Sequence, residues 1–515
     1  MVLRMSGLAS GMDTESIVQQ LMSAHKIPVT KLEQKQQIVE WKQEDYRNMN
    51  TKILEFRNYL FDGVILGNPF DAQKANLSGD TSAVSVNASS TATGSLSIQV
   101  KELAKAATKN SYGSITAGLT SFSAGEKLST QMTGLNSTYS FKVNGKEFTV
   151  NTAEESLNDV ISKINKDSDA NVSVFFDDSS GKLSFVAKEA GEVNGVGGNL
   201  ANITFEDTSG DFLQKVLKIN NYTEADGATD PDTNNATVGN KATVVINGME
   251  TTRNTNTFSI NGMDITLLKE GGGTATVEVG KDIDKIVENI KQFMTKYNET
   301  LNLLTSKVNE ERHKDYEPLT DDQRKEFKES GYDIDEWTSL ARSGLIRNDS
   351  ILKDAINDMR SAITTLYATG SEYNSLASIG VETTRYSKNS DVNGNLVIDE
   401  DKLRKALQEN PDAVEQIFLS KGTAADGSDK GVIEKMYQNL KQNLDDLTSK
   451  AGNPNASTED TSTLGNELYN LKSRLVQMNN RLVTLENNYY KQFSTMEQVI
   501  SNYNSQSAYL TNAFA

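Results

Sequence analysis

The stretch Leu464-Gly-Asn-Glu-Leu468-Tyr-Asn-Leu471-Lys-Ser-Arg-Leu475-Val-Gln-Met478-Asn-Asn-Arg-Leu482-Val-Thr-Leu485-Glu-Asn-Asn-Tyr489 decides how this chain is built. Its apolar residues recur at alternating steps of four and three. The row continues through Met496, Val499, Tyr503 and Leu510 and is interrupted only by Gln492 and Gln506. A 3.5-residue repeat keeps one helix face turned toward another helix. At 1.5 Å per residue an unbroken helix from Leu464 to Leu510 would run about 70 Å, too long for an ordinary globular helix. Near the other end Leu32, Val39, Tyr46, Met49, Ile53, Phe56 and Leu60 keep the same spacing, with Lys35 and Lys42 at two seam positions. Simple dimerisation or pairing within the chain would account for such seams. The sharper expectation is that the two ends meet and also enter a larger helical assembly, because two seams expose more apolar surface than one hairpin buries. Asn479-Asn480 and Asn487-Asn488 place few charges beside the seam, which favours polar helix contacts over pairing coded by salt bridges.

Between these ends the composition changes. Of the 35 Gly in the chain, 21 lie from Gly79 to Gly280, a zone rich in Ser, Thr and Asn that holds neither Trp. Short β-rich runs are expected at Ala83–Val86, Ser95–Val100, Ser140–Val143, Glu147–Val150, Val172–Phe176, Leu183–Ala187 and Thr243–Ile246. Asn144-Gly145, Asn247-Gly248 and Asn261-Gly262 each follow Val or Ile and supply the positive φ angles of a tight hairpin turn. A helix is expected at Ser156–Asn165, with Leu157, Val160, Ile161 and Ile164 on one face. Asp226–Asn235, with Pro231, reads as a polar loop.

On the C-terminal side of this zone the pattern is helical again. Ile283, Ile286, Ile290, Phe293, Tyr297, Leu304 and Val308 form one stripe; Leu352, Ile356, Met359, Ile363 and Leu366 form another, opened by Asp349 as N-cap. Thr320-Asp-Asp-Gln323 has capping-box spacing, and Gly331 ends that segment. Leu396-Val-Ile reads as a strand, Asp399 caps a helix through Leu407, and Asn410-Pro411 starts another through Phe418. The fold class is therefore α+β and multidomain with nested architecture. Residues 1–65 are expected as a coiled-coil segment pairing with 455–515, and 66–78 with 281–454 as a helical bundle with a small sheet. Residues 79–118 with 222–280 form a β-rich domain, and 119–221 an inserted α+β domain.

Composition excludes several functions. The chain has 515 residues, 52 basic and 70 acidic side chains for a net charge of −18, no Cys, and two His, His25 and His313. Thiol chemistry, zinc ribbons and iron–sulfur clusters need cysteines, and a lone pair of histidines offers little from which to build a histidine-based metal site or triad. The negative charge repels nucleic-acid backbones. No window approaches the apolar length of a membrane span, so no membrane insertion is expected. Met1–Gly11 carries only Arg4 and no apolar core of a secretory signal, which suggests either a cytosolic protein or export without a cleaved signal.

Two stretches invite a calcium reading. Asp391-Val-Asn393-Gly394-Asn395 has Leu396 where an EF-hand loop needs Gly and Lys402 where it needs Glu, so a turn is expected. Asp167-Ser-Asp169-Ala-Asn171 lacks the Gly as well and reads as a helix-to-strand turn. Gly195-Val-Gly197-Gly198 follows no strand and opens no helix, so it reads as a surface loop instead of a phosphate cradle. Asp177-Asp178 and Asp321-Asp322 sit at turns or helix starts, where solvated carboxylates are common. No catalytic residue, cofactor or metal is expected, and the chain is not expected to be an enzyme.

The sequence resembles one family across nearly its whole length, the bacterial flagellar filament cap or flagellar hook-associated protein 2 family. The first matching block is Ser6-Gly7-Leu8-Ala9-Ser10-Gly11-Met12-Asp13-Thr14 with Ile17-Val18, Leu21-Met22 and Pro28. The second runs from Asn247-Gly248 through Arg253, Thr257, Ile260-Asn261-Gly262 and Ile265-Thr266-Leu267-Leu268 to Phe293 and Tyr297-Asn298. The third is Leu376-Ala-Ser-Ile379-Gly380-Val381, Gly394-Asn-Leu396, Ile398-Asp399 through Leu403, then Asn410-Pro411 and Phe418. Phe141–Lys188 also resembles a small domain inserted in flagellin-related proteins, and the insert around Pro318 to Asp349 resembles some branches of the family. The resemblance implies a ring-like homo-oligomer, a pentamer or hexamer, at the filament tip. It also implies contact with flagellin, passage through the flagellar type III export apparatus with a cytoplasmic export chaperone, and terminal helices that descend into the filament as legs. The seam residues would then be the assembly surface. A surface adhesin that binds host glycans or mucin through the central domains is the alternative. The free protein is expected to order its ends poorly, since a lone helix pair lacks the partners that offset its ordering entropy.

Overall fold

The computed structural model describes residues 11–191, 200–201, 203–221, 235–367, 369–384, 394–423, 429–453 and 460–514. The start of the first block, the Gly195–Gly198 loop, Asp226–Thr233 with Pro231, and Asp391–Asn393 lie outside them. The chain divides into two compact units, Met1–Phe70 with Ile283–Ala515, and Asp71–Asp282.

In the first unit the N-terminal helix spans Thr14–Asn58, capped by Asp13, whose carboxylate accepts from the Ser16 amide at 3.0 Å. It continues as a π-helical segment, Tyr59–Leu66. The C-terminal helix spans Thr463–Phe514. Against the N-terminal helix pack Ile283–Asn309 and Val432–Ala451, and Ser350–Thr364 packs on both of these, each burying one apolar stripe. The helix Val432–Ala451 was not anticipated, although Val432, Met436, Leu440, Leu444 and Leu447 have the required spacing. Asp349 caps its helix by accepting from the Leu352 amide, as expected. Leu366 falls outside that helix, which ends at Thr364, and is 71% exposed. The Thr320/Gln323 capping box is formed in both directions. Val381–Thr383 and Leu396–Ile398 make the small antiparallel sheet, followed by helices Glu400–Glu409 and Pro411–Leu419, capped by Asp399 and Asn410.

The second unit is β-rich with two cores. A five-stranded sheet runs in the order Gln73–Gly79, Thr274–Lys281, Ser95–Glu102, Ala242–Ile246, Met249–Arg253, with every neighbouring pair antiparallel. A three-stranded sheet of Thr257–Ile260, Met263–Leu267 and Val84–Ala88 shares its core, built on Leu96, Ile98, Val244, Ile265 and Val277. The other core, with Phe141, Phe185, Phe205 and Phe212, lies among the hairpin Thr138–Val143/Lys146–Asn151, the helix Leu157–Lys166 and the sheet containing Lys182–Ala190 and Val172–Asp177. The three Asn-Gly turns have the expected left-handed geometry, with φ 48° and 79°, 50° and 83°, 49° and 78°.

Two expected boundaries move. Residues 71–78 belong with the five-stranded sheet and not with the bundle, because Gln73–Gly79 pairs along its whole length with Thr274–Lys281. Ala106–Asn110 joins Lys182–Ala190, and Ala107 and Ile115 enter the second core, so the inserted domain begins before residue 119. Strand pairing between segments distant in sequence decides both, and no local pattern encodes it.

Candidate assembly surface

Near the root of the helix pair, Arg47 donates to the Asp460 carboxylate at 2.8 Å and to the Ala451 carbonyl at 2.8 Å, while Gln43 donates to the same carboxylate at 2.6 Å. Burial pushes Asp460 up, but hydrogen bonds from Ser462 and the Arg47 charge outweigh it and hold the carboxyl below its ordinary value. Farther along, Lys35 meets Glu467 at 3.0 Å, Lys472 meets Glu40 at 3.5 Å, and His25 lies 3.2 Å from the Tyr489 hydroxyl. From Arg47–Asp460 to His25–Tyr489 the numbering falls along one segment as it rises along the other, which fixes an antiparallel arrangement.

The seam residues divide by depth along this pair. Val39, Tyr46, Met49, Ile53, Phe56 and Leu60 are buried, and Leu32 is half-buried. On the C-terminal helix Leu464, Leu468, Leu471 and Leu475 are buried; Met478, Leu482, Leu485, Tyr489 and Met496 are half-buried; Val499, Tyr503 and Leu510 are exposed. Lys35, at an expected seam position, is exposed instead and reaches Glu467. Counting on from His25 and Tyr489, the first residue of the N-terminal helix, Thr14, lies level with Ile500. From Ser501 to Asn512 every residue is exposed, so about 20 Å of apolar-striped helix continues past the end of its partner helix.

The buried half is held by polar anchors that periodicity does not reveal. Asp45, only 5% exposed, meets Arg342 at 2.8 Å and Lys307 at 3.1 Å. Tyr46 donates to Asp349 at 2.6 Å; burial, then this carboxylate, pushes its hydroxyl well above the ordinary range. Gln34 donates to the Pro318 carbonyl at 3.0 Å, which ties the insert to the N-terminal helix. A groove of about 540 Å³ lies beside that contact, lined by Val29, Glu33, Asp321, Asp322 and Leu482 among others. Burial, then the charges of Asp322 and Asp321, raises Glu33.

Residues from separate sequence blocks meet inside the bundle. The Asn298 amide donates to the Leu396 carbonyl at 3.0 Å and accepts from the Leu396 amide at 2.7 Å, serving as a strand partner for one peptide. Phe418 packs against Phe70 and Phe293, with ring centroids 5.4 and 6.0 Å apart. Gly380 adopts φ 87°, and a Cβ there would lie 2.7 Å from the Asp399 carbonyl oxygen, so glycine is required.

The C-terminal model of flagellar hook-associated protein 2 matches residues 239–505 and the N-terminal model matches 10–107. The chain belongs to the flagellar hook-associated protein 2 family. It is 29% identical over 549 aligned positions to flagellar hook-associated protein 2 of Halalkalibacterium halodurans, covering 99% of this chain and 100% of that one. It is 26% identical to flagellar hook-associated protein 2 of Thermotoga maritima, over 72% of this chain and 54% of that protein. The D1-D2-D3 domains of the Escherichia coli flagellar cap protein FliD superpose with a TM-score of 0.47 at 18% identity, covering 83% of this chain and 99% of theirs. The Asn298–Leu396 pairing joins the second and third blocks of the family resemblance, and the Phe293–Phe418 contact joins them again.

Acidic motifs take structural roles. The Asp167 carboxylate accepts from the amides of Asp169 and Ala170 and faces Lys146 at 3.2 Å, so a lysine neutralises the turn. Among the described residues no group of three or more His, Asp or Glu could hold a metal ion, and no helix is long and apolar enough to cross a membrane.

Proposed function

We propose that this flagellar hook-associated protein 2 is the structural cap of the flagellar filament, acting at the distal tip to promote ordered addition of exported flagellin and to prevent its loss to the medium. Family membership supports the assignment to the flagellum, and no observation favours the adhesin alternative. The observation that carries the mechanical reading is the graded seam. A helix pair buried at its root and apolar but uncovered at its far end is suited to engage other helices, because the exposed row gains burial only in an assembly. In this reading the terminal helices are coiled-coil legs, the chain forms a ring-like homo-oligomer, a pentamer or hexamer, and the legs contact flagellin. The protein reaches the tip through the flagellar type III route with an export chaperone, and it catalyses no reaction. A chain with no Cys, threaded unfolded and folded outside the cell, has no disulfide pairing to complete.

Deletion of the gene in the parent bacterium should abolish motility while monomeric flagellin accumulates in the medium. Normal filaments in that strain would remove the cap reading. Glu substitution at Leu475 and Leu482 should leave the second unit folded and block filament growth.

A further inference from the structure

Two hairpins of the second unit carry the same four residues at their turns, Ile246-Asn-Gly-Met249 and Ile260-Asn-Gly-Met263. Their backbones agree as well, with φ 50° and 83° in the first and 49° and 78° in the second, and both asparagines are exposed. What differs is the restraint on the asparagine. Asn247 donates its backbone N–H to the Ser97 carbonyl at 2.9 Å, and its side-chain carbonyl accepts from the Ser97 N–H at 2.8 Å, which mates this turn to the neighbouring strand. Asn144, in the third Asn-Gly turn, is held more firmly. It exchanges the same two bonds with Thr204, each at 3.0 Å, and its side-chain nitrogen also donates to the Ala170 carbonyl at 2.8 Å. Among the described residues no such bond ties Asn261 to a neighbouring strand.

We propose that Asn261 is a site of spontaneous covalent modification, its side chain closing on the Gly262 nitrogen and reopening as aspartate or isoaspartate. The Gly262 nitrogen attacks Asn261 Cγ; the new C–N bond forms, the Cγ–Nδ2 bond breaks, and ammonia leaves with the proton that Gly262 gives up. Water then opens the five-membered ring at one of its two carbonyls. Glycine obstructs the attack least because it carries no side chain. The asparagine must leave its turn geometry to react, which bonds to an adjacent strand oppose and an untied side chain permits. Attack of water on the main-chain carbonyl leaves the chain running through Cβ and Cγ, one atom longer. The hairpin has no slack for that atom. Two residues join Ile260 to its partner Met263, the Gly262 carbonyl accepts from the Ser89 amide at 2.9 Å, and a Cβ on Gly262 would already lie 2.9 Å from the Ala92 nitrogen. Isoaspartate therefore frees the turn from the Ser89–Ala92 segment, whereas aspartate keeps the original backbone path. The inference concerns the second unit alone and stands whether or not the chain caps a filament.

The full-length protein, aged in warm, mildly alkaline buffer and then digested in mild acid, tests this by mass spectrometry of the three turns. Asn261 should convert about tenfold faster than Asn247, and Asn144 should be slowest. In urea sufficient to unfold the chain, Asn247 and Asn261 should convert at equal rates, since their adjacent residues are identical. Equal rates in the folded protein, or an intact Asn261 over the time in which the unfolded chain converts, would overturn the proposal. A difference that persists in urea would assign the order to sequence and overturn it as well. Asn261→Gly suits a turn with two positive φ angles and removes the side chain that reacts. Hydrogen exchange over Thr257–Leu267 should quicken with age in the wild-type protein and not in this variant. Equal quickening in both would place the damage elsewhere and overturn the assignment to Asn261.

Discussion

The two halves of the C-terminal helix obey one periodicity and meet opposite fates. From Leu464 to Leu475 the row is buried against the rest of the first unit; from Val499 to Leu510 the same kind of residue faces solvent. The difference lies in what surrounds the helix and not in its own sequence. The buried half is flanked by Arg47, Asp460 and the Val432–Ala451 helix, whereas the far half has outrun the helix it pairs with. A heptad row therefore reports that a partner exists and leaves open whether it belongs to the same chain. Substitutions that separate stability from assembly turn this contrast into measurements.

The largest effect is expected in the buried half. Leu471→Ala removes a side chain only 4% exposed and should cost the first unit about 2–5 kcal/mol. Both tryptophans, Trp41 and Trp337, belong to that unit, so urea unfolding followed by their fluorescence reads it without interference from the second. A loss under about 1 kcal/mol would mean that the root of the pair is not packed as described.

Next comes the junction of the two sequence blocks. Asn298→Asp replaces the amide donor with a carboxylate oxygen opposite the Leu396 carbonyl. It should cost about 1–3 kcal/mol, the range for a buried hydrogen bond left unmade. Unchanged stability would show that the bidentate pairing is incidental. This contact also marks the limit of what could be read from the chain. Tyr297-Asn298 and Gly394-Asn-Leu396 were recognisable as pieces of a family pattern, and the stripes, caps and Asn-Gly turns followed from local spacing. That one side-chain amide joins the two pieces was not legible, because the pairing spans almost a hundred residues. The same reason hid the pairing of Gln73–Gly79 with Thr274–Lys281 and the place of Val432–Ala451 in the bundle. The seam itself was legible as a row, but its depth depends on where the N-terminal helix begins relative to Tyr489.

Acid should loosen the root only slightly. Asp460 has a folded-state pKa below its unfolded value, so its contribution is present above the unfolded pKa and is lost as pH falls through the folded one. Glu33 has the opposite sign: its folded pKa is raised, so its contribution is present below the unfolded pKa and is lost as pH rises through the folded one. Hydrogen exchange across the acid range, corrected for intrinsic rates, should therefore show faster opening of the Gln43–Arg47 turn at low pH and no such gain around Glu33. Burial offsets part of what the hydrogen bonds and the Arg47 charge contribute at Asp460, so the change is small. Equal acceleration at both places would indicate general acid unfolding.

The smallest effect on stability is expected where the effect on function is greatest. Tyr503→Ser and Leu510→Ser alter side chains 66% and 54% exposed, whose removal leaves no cavity and strands no polar group, so each should change unfolding by less than about 0.5 kcal/mol. If the uncovered row gains its burial only in an assembly, the double variant should still be exported and folded, yet fail to support filament growth, with flagellin appearing in the medium. Wild-type filaments from that strain would mean the far half is a passive extension. A measurable loss of stability would mean it is already packed within its own chain. Either result would collapse the contrast between the halves, whereas silent stability with lost growth assigns the buried residues to the fold and the exposed ones to the partner.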